Sequence, residues 1–130
     1  MKQYLGMALG MVAGSVLGAG AITALHAQAK PPAYFVVEIN KINDAEGFKT
    51  ITQRPVGGAE VAKELGGRYL VRGGNITALD GTPPQRFIVY EFDSVEKAQA
   101  FNNSSYMKEV NAIRDKTTEA RSFIVEGKPQ

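Results

Sequence analysis

The sequence predicts an α+β domain built on one four-stranded antiparallel sheet, with helical segments on one face. Three observations carry that prediction. Segments rich in β-branched and aromatic residues read as strands at 34–40, 68–72, 86–92 and 121–126. Stretches with helical spacing fill the first and last gaps between them. The middle gap is a glycine- and proline-rich loop of about a dozen residues, suited to joining an antiparallel pair.

Taken in order, 34–40 alternates, with Phe35, Val37 and Ile39 on one face and Glu38 and Asn40 on the other. Asn43 or Asp44 starts a helix. With Asn43 as cap, Glu46 stands three residues on, as in a capping box. Phe48, Ile51 and Thr52 share its face until Pro55 and Gly57-Gly58 interrupt it. Val61, Ala62 and Leu65 resume the helix, and Gly66-Gly67 ends it, since glycine takes the left-handed conformation readily.

Residues 68–72 form the second strand, and Gly73-Gly74-Asn75 and 80–84 are turn chemistry. Residues 86–92 are the most β-prone segment. Asp93 with Glu96 starts the next helix by the capping-box pattern, with Val95, Ala98 and Phe101 facing inward. Residues 102–105 break it, Ser104 caps another, and Tyr106, Val110 and Ile113 lie at i, i+4 and i+7. Residues 121–126 are the last strand, closed by Gly127.

The order βαββαβ is the ferredoxin-like arrangement, with two helical segments on one face of the sheet. The other face carries Val36, Val89 and Val125 among charged neighbours, and no element remains to cover it. A second copy of the sheet is the natural cover, so a homodimer is expected.

Residues 1–29 read as an export signal: Lys2, an apolar stretch from Tyr4 to Leu25, then Ala27-Gln28-Ala29, with small residues where signal peptidase needs them. Cleavage before Lys30 is expected, giving a periplasmic or secreted domain. The alternative is an uncleaved anchor in the inner membrane with the domain in the periplasm. Gly6, Gly10, Gly14 and Gly18 fall on one helix face, as in packed membrane helices. Residues 30–33 are then a stiff linker, 34–127 the domain and 128–130 a tail.

Composition narrows the chemistry. Cysteine is absent, and the only histidine, His26, lies in the leader. The domain therefore lacks the commonest metal ligands, bases and nucleophiles, and neither metal nor cofactor is expected. Removing residues 1–29 takes Lys2 away and leaves 14 Lys and Arg against 13 Asp and Glu. The signs are interleaved rather than clustered, which argues against nucleic acid. Two matches to the glycosylation sequon, at Asn75 and Asn103, carry no weight at that length.

The string from Gly66 to Gly74 (GGRYLVRGG), with RFIVYEFDS at 86–94, NSSY at 103–106 and IVEG at 124–127, resembles the bacterial domain-of-unknown-function family 1330. The resemblance spans residues 34–127. It implies the dimeric α/β-barrel superfamily, in which two ferredoxin-like sheets pair face to face, and it implies no assigned reaction. Haem-handling relatives use a histidine that this domain lacks. Cofactor-free oxygenases and isomerases of the superfamily need only a shaped pocket and polar groups.

Glu38 and Glu91 stand in apolar strands and are the candidate acid–base pair. Arg72 is a candidate clamp for a carboxylate or phosphate, or else the ion-pair partner of Glu91 or Glu38 across the sheet. Tyr69 and Tyr106 are candidate ligand-binding residues, with core packing as the alternative. The expected function is binding of a small organic molecule, with cofactor-free acid–base chemistry upon it. The alternative is a non-catalytic ligand-binding or stress-related interaction module.

Overall fold

Strands β1 (Ala33–Ile42), β2 (Arg68–Gly73), β3 (Arg86–Phe92) and β4 (Thr118–Glu126) pair in the order β2-β3-β1-β4, every pair antiparallel. The computed structural model describes residues 30–129, of which Pro31–Lys128 fold as one unit. The expected export signal at 1–29, with the expected cleavage residues Ala27 and Ala29, lies outside the described residues. Among the described residues no helix is long and apolar enough to cross a membrane.

Helices α1 (Ala45–Thr52) and α2 (Gly58–Glu64) join β1 to β2, and α3 (Val95–Asn102) and α4 (Ser105–Thr117) join β3 to β4. This is the ferredoxin-like βαββαβ fold. The break between α1 and α2 falls at Pro55, where the missing amide proton was expected to stop a helix. Gly66 closes α2 with φ +81°, a conformation that costs glycine no steric clash.

Several boundaries differ from the expected ones. Strand β1 begins one residue into the expected linker, at Ala33, which is fully buried and pairs with both Phe92 and Glu126. Asp44, not Asn43, caps α1, its carboxylate accepting from the Gly47 amide at 3.0 Å. The Asn43 amide donates to Thr117 O instead. Ser94 rather than Asp93 caps α3, while Asp93 pairs with Lys97. Strand β4 begins at Thr118, immediately after α4 ends at Thr117. Thr117 O accepts from Asn43 at 2.7 Å and Asp44 at 3.1 Å, tying this junction to the start of α1.

Alternation divides the sheet into two faces. On the helix-covered face Phe35, Val37 and Ile39 pack with Tyr90, Phe92, Phe101, Met107 and Val110. Phe101 meets Phe35 edge-on at 5.5 Å and Phe92 at 5.2 Å. Among the described residues no element covers the opposite face, the open face. Register aligns Val71, Val89, Val36 and Phe123 in one apolar row across all four strands. Val71 and Phe123 are 43% and 44% exposed, and Val125 nearby is 48% exposed.

Candidate functional site

A cavity of ≈ 120 Å³ lies between the helix-covered face of the sheet and helices α1 and α4. Its apolar wall includes Val37, Ile39, Ile88, Phe48 and Val110. Tyr69, Tyr90 and Tyr106 supply hydroxyls, and Arg54, Arg72, Arg86 and Arg114 supply guanidinium groups. No Asp, Glu, His or Cys is among the lining residues. Arg72 and Arg86 also line an open groove of ≈ 860 Å³ beside Gly73, Gly74 and Pro84, so they stand where the cavity meets solvent.

The tyrosines are held by the sheet and by each other. Tyr69 and Tyr90 are register partners on β2 and β3. Their rings stack at 4.2 Å, and the Tyr90 hydroxyl donates to Tyr69 Oη at 2.7 Å. Gly58 makes room for this pair: a Cβ there would lie 2.3 Å from Tyr90 Oη. Burial pushes the Tyr90 phenol up in pKa, and the hydrogen bond with Tyr69 pushes it further. Tyr106 is also raised, chiefly by burial. Both remain neutral hydroxyls at physiological pH and act as hydrogen-bond donors or acceptors, not as bases.

The arginines differ in their partners. Arg54 pairs with Glu109 and lies over the Tyr106 ring at 5.4 Å. Arg72 is exposed and stacks on Tyr69 at 5.2 Å. Arg114 is 8% exposed and donates to Asn111 Oδ1 at 2.5 Å. Burial lowers its pKa, with Asp115 and Tyr90 acting in the other direction. Arg86 keeps its Nε buried without a hydrogen-bond partner.

The expected site residues therefore separate. Tyr69, Tyr106 and Arg72 converge on the cavity. Glu38 and Glu91 do not, because both project from the open face. Glu38 accepts from Arg121 Nε at 2.5 Å, and Glu91 pairs with Arg68. Strand register places Glu91 opposite Tyr34, four residues from Glu38, or roughly 13 Å along the strand. At that spacing the two cannot share a proton as an acid–base pair. The expected ion pair of Arg72 with either glutamate is also absent, since Arg72 sits on the other face.

Arg86 and Arg114 were missed by sequence reading. Arg86 shares the alternation of Ile88, Tyr90 and Phe92, which was the available signal. Arg114 continues the helical stripe of Met107 and Val110, where Ile113 was expected; Ile113 is only half-buried. Among the described residues no cluster of three or more Asp, Glu, His or Cys could hold a metal ion.

A family described as a domain of unknown function (DUF1330) matches residues 32–128. No curated protein matches the chain in sequence. Among solved structures the chain is similar to the RPA0582 protein of unknown function from Rhodopseudomonas palustris. That match has a TM-score of 0.58 at 12% identity, covering 83% of this chain and 92% of that one. The methylated form of that protein gives 0.59 at 14% identity, over 83% and 90%. The chain is also similar to SnoaB from Streptomyces nogalater, described as a cofactor-independent oxygenase, with a TM-score of 0.51 at 7% identity over 77% and 96%. Likeness at these identities is likeness of fold.

Proposed function

We propose that this chain, which belongs to the DUF1330 family, is an exported homodimer that binds a small organic molecule between its sheet and helices. The observation that carries this reading is the ≈ 120 Å³ cavity with tyrosine and arginine donors around an apolar wall. A cavity of roughly 150 Å³ is enough for a benzene-sized body, so the ligand is small or leaves part of itself in the adjoining groove. The lining holds no side chain that is a base at neutral pH, which favours binding over acid–base catalysis by the protein. The oxygenase activity of SnoaB does not transfer at 7% identity.

The open face supports a two-fold dimer. Its apolar row is flanked at opposite corners by the Arg68–Glu91 and Arg121–Glu38 pairs, a layout that a second copy can match by rotation. Export rests on the leader and the Ala27-Gln28-Ala29 site. Intact-mass analysis should find Lys30 at the N-terminus, and full-length chain in the membrane fraction would favour the anchor.

The ligand reading is tested by thermal shift of the purified chain against small aromatic and aliphatic metabolites. A ligand at a hundred times its Kd adds ~2.7 kcal/mol to apparent stability. Val110→Phe, which fills the cavity, should remove the shift. A shift that survives this substitution would place the ligand elsewhere.

A further inference from the structure

We infer that the ligand carries a carboxylate, held at the cavity mouth by Arg86 and Arg72. This rests on the reading that the cavity binds a ligand, and it names the head group.

The argument starts from how the sheet distributes its charge. On the open face both arginines meet carboxylates, Arg68 with Glu91 and Arg121 with Glu38. At the cavity Arg54 has such a partner, Glu109. Among the described residues no carboxylate lies within ion-pair distance of Arg72, Arg86 or Arg114. Arg72 is opposite Ile88, two residues from Arg86 on the same face, so the two arginines are diagonal neighbours, roughly 7–8 Å apart at Cα. Like charges so placed repel, and an anion between them removes the repulsion. Arg86 Nε is a buried donor with nothing to donate to. Buried donors almost always have partners, so this one is a group that a ligand oxygen can satisfy.

A carboxylate suits this pair of arginines better than other anions. The guanidinium fork matches its two oxygens in one plane. The Tyr69–Tyr90 stack and the aliphatic wall beyond accept a flat or narrow body. The apolar wall behind the two arginines suits a head group that carries a hydrocarbon body more than a free inorganic anion.

Calorimetry on the purified chain tests this with matched pairs, benzoate against benzamide and butyrate against butyramide. Each acid should bind at least tenfold more tightly than its amide. Arg86→Gln should reduce that preference to less than threefold without lowering the melting temperature of the ligand-free protein. Arg72→Gln should reduce it less, because Arg72 is exposed. If Arg86→Gln does not fold, Arg86→Lys keeps the charge, loses the fork, and should show an intermediate preference. Amides binding as tightly as acids would overturn the inference and leave the cavity reading standing. A preference unchanged in both variants, or tighter binding of inorganic phosphate, would also overturn it. Failure of both acids and amides would overturn the cavity reading and the inference with it.

Discussion

The two faces of the sheet draw on the same residue types and use them in opposite ways. The helix-covered face collects arginines and tyrosines around a hollow and leaves carboxylates out. The open face pairs Glu38 and Glu91 each with an arginine of the neighbouring strand and fills the space between with valine and phenylalanine. Balanced charge beside apolar rows suits contact with another protein surface, because nothing is left unpaired when water leaves. Unbalanced charge beside a hollow suits a ligand that brings the missing sign. Residue type alone therefore says little about role in this chain; the face on which a residue lands decides it.

The largest expected effect tests the covered face. Phe35 is 2% exposed and packs edge-on against Phe101, so Phe35→Ala should cost ~3–5 kcal/mol in chemical denaturation. Phe123→Glu is the matching change on the open face. It should weaken self-association at least a hundredfold, about 2.7 kcal/mol, with light scattering moving from twice the chain mass to once. A monomeric wild type, or a Phe123→Glu dimer, would break the distinction between the faces.

Alkaline pH sharpens it from the other side. Below the ordinary tyrosine value of 10.0 neither state ionises, and pH has no effect through Tyr90. Above it the unfolded chain releases the phenolic proton while the folded chain retains it. Stability should therefore fall as pH rises past about 10, by ~1.4 kcal/mol per pH unit for a phenol fully held back. Tyr90→Phe should lose ~1 kcal/mol at neutral pH with its hydrogen bond to Tyr69, and then decline less steeply in alkali. The smallest effect belongs to the glutamates. Their arginine partners are 69% and 71% exposed, so Glu38→Gln and Glu91→Gln should each cost about 1 kcal/mol or less. Ligand affinity should not change in either variant, and a loss of binding there would reopen the carboxylates as site residues.

The fold was legible because alternation and helical spacing agree along the whole chain, from Phe35-Val37-Ile39 to the break at Pro55. The site was legible only in part, and one irregularity explains why. Strict alternation along β2 would put Arg68, Leu70 and Arg72 on one face, within reach of the glutamates. The register shifts between Tyr69 and Val71, and that bulge returns Arg72 to the face of Tyr69. A one-residue irregularity leaves no mark in residue types, so the partner expected for Arg72 came from the wrong face. Arg86 and Arg114 were overlooked for a different reason. Charged residues are usually read as solvated, and only the packing of α4 on the sheet encloses them.

The passage from α4 to β4 has one further consequence. Thr117 ends the helix, Thr118 begins the strand, and no residue between them can take up slack. One residue inserted there would advance β4 by a single position against β1, turning Phe123 and Val125 inward and Ile124 outward. The segment between β2 and β3 is under no such constraint, because it runs over the surface and can grow or shrink without changing any pairing. Length variation between homologous chains should therefore gather at residues 74–84, ahead of Gln85, whose amide donates to Ile39 O, and be missing at 117–118. An alignment that opens a gap at the helix–strand junction would be misaligned, whatever its local score.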